Sequence, residues 1–288
     1  MASTRQIKSR IRSVKSTKQI TKAMELVAAS KLRRAQEATA ASRLYSETAR
    51  ELLTQLSHLT DVKRNMFFAK RKMKARLVIV ITSDRGLAGS YNANALKQLS
   101  SIIKQDQSEG IKDYVICVGR KGAQFVSKLK GVELVGVYQS LPEHLTATDV
   151  RPILSSAVQL YLTAEVDAVD VITTKFVNTL TQTALRQPLL PAGFIETEVS
   201  HDVAISSFEP SVEIVLDGAT MRLLEAQLYQ AMLDAAASEH SMRRTSMKNA
   251  TDNAGDIIDD LTLEMNKVRQ AAITQELSEI SAGVEAMK

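Results

Sequence analysis

The sequence has little of what disulfide-rich and metal-binding proteins need. It contains a single cysteine, Cys117, no tryptophan, and only 4% aromatic residues among its 288 positions. One cysteine excludes an internal disulfide framework and a cysteine-rich zinc site, and thiol control within the chain is not expected. A low aromatic content is typical of helices that pack through small side chains.

Long hydrophobic runs are also missing. The most apolar segment, 77–81, is far shorter than the roughly 18 residues that a membrane-spanning helix requires. The start of the chain is basic and has no apolar stretch before a small-residue cleavage site, so we predict no secretory leader. A basic amphipathic start can imitate a mitochondrial presequence, but here it continues without a break into a long helical pattern, and we interpret it as structure.

Residue patterns for catalysis are absent. The four histidines are scattered and none has the spacing of a metal-binding motif. There is no nucleophile elbow of the G-x-S-x-G type, and no pair of carboxylates stands out. We therefore expect no catalytic residue, no metal and no cofactor. The histidines are His58, His144, His201 and His240.

Two glycine-containing segments follow apolar runs. Residues 85–90 (Arg-Gly-Leu-Ala-Gly-Ser) stand between a predicted strand and a predicted helix, where backbone N–H groups can hold a phosphate. The spacing matches neither a dinucleotide-binding nor a Walker A loop, which favours a tight turn. Residues 119–122 (Gly-Arg-Lys-Gly) are interpreted as a basic surface turn at a strand end. We assign no nucleotide site.

The net charge of +5 conceals a strong asymmetry. Residues 1–76 carry 19 Lys and Arg against five acids, a balance of +14, so the remaining chain carries −9. The first part therefore favours an acidic partner, and nucleic acid, an anionic membrane surface and acidic protein loops all fit this charge.

Both ends of the chain have helical periodicity. Apolar residues recur at steps of three and four through 1–60 and again through 207–288. A helix of ~55 residues would be ~80 Å long, and a helix of that length needs a partner helix. We predict that the two ends pair as an antiparallel coiled coil.

The middle of the chain has a different pattern. Short β-branched runs at 77–82, 114–118, 132–137 and 168–176 alternate with helical segments at 92–103, 124–129 and 150–164. This alternation predicts a Rossmann-like α/β domain with a mostly parallel sheet covered on both faces. The predicted organisation is an N-terminal coiled-coil helix (1–60), a basic connector (61–76), the α/β domain (77–206) and a C-terminal coiled-coil helix (207–288).

Nucleic-acid binding and nucleotide chemistry are the alternative functions. The connector concentrates basic residues around Phe67 and Phe68, and such a cluster can bind phosphates while aromatic rings stack on bases. A base-reading motif is missing. An enzyme would instead need a nucleotide site in the α/β domain. The basic residues are Lys63, Arg64, Lys70, Arg71, Lys72, Lys74 and Arg76.

Motifs along the whole chain resemble those of gamma subunits of bacterial F-type ATP synthases. The N-terminal signature is 20–31 (Ile-Thr-Lys-Ala-Met-Glu-Leu-Val-Ala-Ala-Ser-Lys). The C-terminal signature comprises 238–240, 247–254 and 266–277. Shorter matches lie between them at 83–89, 119–122, 189–191 and 208–210. Order, spacing and the number of long motifs make coincidence improbable.

The resemblance implies a non-catalytic rotor shaft in the ATP synthase central stalk. Its expected partners are the alpha and beta subunits of the alpha3beta3 hexamer, the epsilon subunit and the membrane c-ring, and no nucleic acid. It also implies coupling of proton translocation to ATP synthesis and hydrolysis, regulation of ATPase activity and proton flow, and a peripheral position on the cytoplasmic face of the inner cell membrane.

The resemblance also implies site residues. The residues expected to contact alpha and beta subunits are Met24, Arg243, Arg269, Gln270 and Thr274, and those expected in the foot facing the c-ring are Phe208 and Glu209. The sequence departs from the family pattern at 244–246 (Arg-Thr-Ser) and at Met265, which bears on local packing. Ala88 stands where the family often has cysteine, and no cysteine-bearing insertion is present.

Overall fold

The computed structural model describes residues 4–59, 65–69, 71–192 and 212–285. Five helices and five strands lie within these ranges. The helices are α1 (Thr4–Leu59), α2 (Tyr91–Glu109), α3 (Arg120–Val126), α4 (Ala147–Leu162) and α5 (Val212–Glu285). The strands are β1 (Ala75–Ile81), β2 (Lys112–Val118), β3 (Val132–Tyr138), β4 (Ala168–Phe176) and β5 (Gln182–Leu190).

The strands form one mixed sheet in the order β3-β2-β1-β4-β5. The first four strands are parallel, and β5 joins β4 in antiparallel pairing. Every residue of the central strand β1 is buried, as expected of a parallel strand with helices on both faces. The predicted fold class, an α/β domain combined with long terminal helices, is confirmed.

Alternate side chains of β1 enter two separate cores. Leu77, Ile79 and Ile81 pack in the core formed with α4 and with residues 216–235 of α5. Val78 and Val80 pack on the opposite face, in the core formed with α2 and α3. Because successive side chains of a strand point to opposite faces, one short apolar run supplies both layers.

Strand β5 was missed by the sequence prediction. Its nine residues contain Pro188 and lack sustained alternation, and a proline inside a run argues against a strand. Pro188 is tolerated because β5 is an outermost strand, which needs backbone hydrogen bonds on one side only. The helix predicted at 124–129 is also displaced, since α3 begins at Arg120 and ends at Val126.

The chain divides into two compact units, Met1–Ala29 with Arg243–Lys288, and Ser30–Met242. In the first unit, Thr251 Oγ1 donates to Thr21 Oγ1 at 2.8 Å, and Gly255 lies beside the Lys18 amine. From the first of these contacts to the second, the residue number falls from 21 to 18 on α1 and rises from 251 to 255 on α5, so the two helices run antiparallel. The four predicted segment boundaries remain predictions. No helix among the described residues is long and apolar enough to cross a bilayer.

Candidate functional site

The residues predicted to contact alpha and beta subunits all lie on the two long helices. Met24 on α1 and Arg243 on α5 are half-buried, whereas Arg269, Gln270 and Thr274 on α5 are exposed. The Thr274 hydroxyl donates to the backbone carbonyl of Gln270 at 2.9 Å, so its proton is already used within the helix. The predicted foot residues Phe208 and Glu209 lie outside the described residues.

The helix register separates the predicted contacts into two groups. Met24 lies one turn from Thr21, which puts it within about 8 Å, measured along the axis, of Arg243. Arg269 follows Arg243 by 26 residues, or about 39 Å of helix. The structure therefore brings Met24 and Arg243 to one level of the helix pair and leaves the Arg269 group at another.

The C-terminal part of α5 extends past the start of α1. Extrapolated from the pairing of Thr21 with Thr251, the level of Thr4 falls near residue 268 of α5. Every residue from 271 to 283 is exposed. Ile273, Leu277 and Ile280 follow the three-and-four spacing of one helix face, with Leu277 60% exposed. This segment is a single helix with an apolar stripe that the described residues leave uncovered.

The two helices of this unit present opposite charges to solvent. Between Thr4 and Ala29 the basic residues of α1 are all exposed, and Lys22 forms an ion pair with the half-buried Glu25 at 3.0 Å. The middle of α5 presents exposed acids instead. The helix pair is consequently basic on α1 and acidic on α5. The basic residues are Arg5, Lys8, Arg10, Arg12, Lys15, Lys18 and Lys22, and the acidic ones are Asp252, Asp256, Asp259, Asp260 and Glu264.

In the α/β unit, a carboxylate of the chain itself lies at the N-terminus of α3, at the carboxyl ends of the parallel strands. Asp84 accepts from the backbone N–H of Arg120, at the start of α3, and from that of Ser140, both at 2.9 Å. A phosphate at this point would meet a like charge. The segment 85–90 joins β1 to α2, which begins at Tyr91, and Leu87 and Gly89 within it have positive φ, so it has the tight turn that the sequence favoured.

The segment 119–122, interpreted as a surface turn, instead opens helix α3. Gly119 has φ 92°, and a Cβ there would lie 2.1 Å from the Thr82 carbonyl oxygen. The Gly122 N–H donates to Thr82 Oγ1 at 2.8 Å. Both glycines allow α3 to approach the end of β1 closely, which explains the motif without a ligand.

Sequence reasoning missed a buried charge cluster at the opposite ends of the strands. Arg76 donates from Nε to Asp106 Oδ2 and from Nη1 to Asp170 Oδ2, both at 2.6 Å, and Arg186 lies 2.9 Å from Asp170. One sequence feature could have revealed the cluster, namely the charged residues that stand within apolar strand runs. Asp113 and Asp170 each precede two β-branched or aromatic residues.

Asp113 is the unusual member of this cluster. As a carboxylate it has no hydrogen-bond donor among the described residues, whereas in its protonated form it donates to Asp106. Burial, with the nearby Asp106 charge as the next cause, raises the pKa of Asp113 to about 7 against the opposing effect of Arg76. The cluster therefore takes up a proton as the pH falls through about 7.

The aromatic residues of the basic connector are not available for base stacking. Phe67 and Phe68 are each 8% exposed and belong to the core of the α/β unit. Arg71 donates to the Tyr161 carbonyl at 2.8 Å and lies over its ring, and Arg76 is buried. Lys63, Arg64 and Lys70 lie outside the described residues. Phe67, Phe68, Arg71 and Arg76 are thus built into the domain, whereas Lys72 and Lys74 are exposed.

The part of the chain that the structure describes contains neither a metal site nor a cavity at the loops where a nucleotide would bind. No group of three or more His, Cys, Asp or Glu side chains there is arranged to hold a metal ion. Two cavities, of about 450 and 610 Å³, are lined by residues of α1, α4, α5 and the 65–67 turn. Neither includes a residue of the loops 82–90 or 119–122, where an α/β domain would bind a nucleotide.

Comparisons with known proteins agree with the geometry of the long helices. The sequence matches the family described as ATP synthase over residues 3–287. The ATP synthase gamma chain of Opitutus terrae is 40% identical over 296 residues, which cover 98% of this chain and 98% of the relative.

Two solved structures share the fold. A chain of the Euglena gracilis mitochondrial ATP synthase (OSCP/F1/c-ring) has a TM-score of 0.70 at 17% identity, covering 99% of this chain and 94% of that one. A chain of the Tetrahymena thermophila mitochondrial ATP synthase central stalk and c-ring has a TM-score of 0.62 at 23% identity, covering 80% of this chain and 99% of that one.

Proposed function

The chain belongs to the ATP synthase gamma-chain family, and from this premise we propose that it is the rotor shaft that couples proton flow through the c-ring to ATP synthesis and hydrolysis in the alpha3beta3 hexamer. The observation that carries the proposal is the antiparallel pair of α1 and α5, with its single-helix extension beyond residue 268. Such an element transmits torque and has no catalytic group of its own.

The charge distribution of the shaft supports a mechanism of coupling. Because α1 is basic and α5 is acidic, the two sides of the pair interact differently with any fixed partner loop. Rotation would bring the basic side to each beta subunit in turn, where acidic loops would be attracted and then released. Unequal contacts of this kind would drive the three beta subunits through different nucleotide affinities.

The partner contacts are proposed at three places. Met24 and Arg243 would contact the hexamer at one level, and Arg269, Gln270 and Thr274 would do so at a second level. The segment of Phe208 and Glu209 would form the foot on the c-ring beside the epsilon subunit. The complex would lie on the cytoplasmic face of the inner cell membrane, with this chain as a peripheral subunit that also regulates ATPase activity and proton flow.

Truncation of α5 tests the proposed hexamer contacts. Deleting 270–288 removes residues that are exposed wherever their side chains are described, so the free energy of unfolding of the isolated chain should be nearly unchanged. In reconstituted vesicles, proton-driven ATP synthesis by the assembled complex should fall. Full synthesis by the truncated complex would contradict the assigned contacts.

Single substitutions refine this test. Arg269→Ala should lower synthesis. Lys267 is another exposed basic residue on the same helix, so Lys267→Ala is the matched control and should leave synthesis unchanged. A pull-down from membranes should recover alpha, beta, epsilon and c subunits with the intact chain. Recovery of nucleic acid without those subunits would favour the alternative function.

A further inference from the structure

Three neighbouring strands place charged side chains on the same face of the sheet. Arg76 of β1 lies in register with Asp113 of β2, and Asp170 of β4 lies in register with Val78, two residues further along β1. Val78 is buried in the core formed with α2 and α3, and side chains alternate between the faces of a strand, so the charged residues all point toward that core. Asp106 reaches the same place from the last turn of α2.

The charges of this buried cluster do not cancel. Its aspartates contribute three negative charges when all are ionised, and its two arginines contribute two positive charges. Arg76 donates twice to Asp106 and once to Asp170. Arg186 lies 2.9 Å from the same Asp170 carboxylate, so both guanidinium groups pair with these two aspartates. Neutrality of the cluster therefore requires one proton on a carboxyl group.

Asp113 is the carboxyl group that carries this proton. It is 1% exposed, and neither of its oxygens has a hydrogen-bond donor in the described ranges of the chain. As a carboxylate it would lose its hydration with nothing in exchange, whereas as a carboxylic acid it donates to Asp106. Burial, followed by the Asp106 charge, accordingly raises the pKa of Asp113 to about 7.

The other surroundings of Asp113 do not change this balance. Arg76 from β1 and Asp106 from α2 are the charged groups that act on it. Its partner on β3 is an apolar valine. The adjacent residues of β2, Lys112 and Tyr114, point to the opposite face of the sheet, where the Lys112 amine donates to the Tyr114 hydroxyl.

Asp106 also closes the turn that joins α2 to β2. Its backbone carbonyl accepts from the N–H of Ile111 at 2.8 Å, and Gly110 ends the helix in a left-handed conformation with φ 71°. The Asp106 side chain ties this turn to the sheet through Arg76 and, when it is protonated, through Asp113. Without the proton, two buried carboxylates would face each other, and their repulsion would act on the turn.

We propose that the proton between Asp113 and Asp106 is a latch that holds residues 106–111 against the sheet, and that loss of this proton lets the segment open. The switch lies within the α/β unit and does not depend on the proposed rotor function. In the open form Asp113 enters water and ionises with an ordinary pKa of about 4, against about 7 in the closed form. Opening is therefore increasingly favoured as pH rises from about 4 to about 7, and levels off above that.

Amide hydrogen exchange of the full-length chain tests the latch. After correction for the intrinsic effect of pH on exchange, the opening constant of the Ile111 amide should rise by roughly tenfold per unit between pH 5 and pH 7. The Thr163 amide, which donates to the Gln159 carbonyl at the end of α4, is the control and should show no such rise. This comparison uses the parent chain alone.

Two variants separate the latch from other carboxyl groups. Asp113→Asn keeps a donor toward Asp106 at every pH, so the pH dependence of Ile111 exchange should disappear. Asp259→Asn removes an exposed carboxyl group of α5 and should retain that dependence. In infrared difference spectra of the parent chain, a protonated-carboxyl band should be lost between pH 6 and pH 8.5 and should be missing from Asp113→Asn.

Three results would overturn the latch. Equal pH dependence of the Ile111 and Thr163 amides would show a change in global stability without local opening. Opening of Ile111 that does not vary with pH in the parent chain would show that the proton does not hold the turn. A carboxyl band that survives unchanged in Asp113→Asn would place the proton on another residue.

Discussion

Arg76 and Asp106 are joined by two side-chain hydrogen bonds inside the α/β unit. Arg76 Nε lies 2.6 Å from Asp106 Oδ2, and Nη2 lies 3.1 Å from Oδ1. Their side chains are only 7% and 1% exposed. Burial would lower the pKa of Arg76, but its hydrogen bonds to Asp106 and Asp170 outweigh that effect and raise the pKa. The pair joins the start of β1 to the end of α2.

Removing the guanidinium should therefore destabilise the α/β unit. Arg76→Ala leaves Asp106 buried without its cation and leaves Asp170 with Arg186 alone, and breaking a buried pair in this way costs about 3–5 kcal/mol. The measurement is the free energy of unfolding in urea. Arg33→Ala is the control because Arg33 pairs with Glu37 on an exposed helix surface, where the loss should stay below about 1 kcal/mol. Equal losses would contradict the structural role of Arg76.

The pKa of Asp113 predicts how stability depends on pH. Since burial and Asp106 raise this pKa to about 7 from an ordinary value near 4, the folded chain binds more protons than the unfolded chain between these values. The contribution of Asp113 is fully present at low pH and is lost as pH rises toward 7, by up to about 1.4 kcal/mol per pH unit.

Asp113→Asn isolates that contribution. The amide can donate to Asp106 at every pH, so the difference in unfolding free energy between the variant and the parent chain should shift in favour of the variant between pH 5 and pH 8. The groups that face Asp113 are Arg76 and Asp106, and both are retained. A difference that is independent of pH would show that Asp113 is ionised in the folded chain.

Gly119 should not tolerate a side chain. Gly119→Ala would force a Cβ against the Thr82 carbonyl at a φ of 92°, and we expect a loss of about 3 kcal/mol or more in unfolding free energy. Gly218→Ala is the matched control, because no atom lies within 4 Å of a Cβ built there in helix α5. That substitution should stabilise the chain by about 0.5–1 kcal/mol.

Phe68→Ala distinguishes a structural connector from a nucleic-acid site. Because Phe68 is buried in the core of the α/β unit, truncation should cost about 3–5 kcal/mol of stability. Affinity for single-stranded RNA, titrated at several salt concentrations, should be unaffected at temperatures where the variant remains folded. A large loss of RNA affinity with unchanged stability would instead favour base stacking by this residue.

The long helices and the parallel strands were predictable because their signals are local. Apolar spacing of three and four needs no tertiary information, and residues 77–81 of β1 form a continuous apolar run that is typical of a buried strand. Strand β5 could not be predicted this way. Its Pro188 is acceptable only at a sheet edge, and edge position is decided by how the other strands pair.

The candidate site likewise has residues that the sequence could predict and features that it could not. The predicted contacts Met24, Arg243, Arg269, Gln270 and Thr274 were found through motifs, and their placement on α1 and α5 follows from helix periodicity. The buried partners of Arg76 could not be predicted in this way, because they come from distant segments.

By itself, the sequence determined the two long helices, the α/β domain between them, the charge asymmetry and the family, because each depends on residue type, spacing or order along the chain. Tertiary structure alone decided the helix register, the edge strand and the proton site at Asp113. These depend on burial and on distances between residues far apart in sequence, and a buried carboxyl group acquires a shifted pKa only once folding has removed water and brought Asp106 beside it.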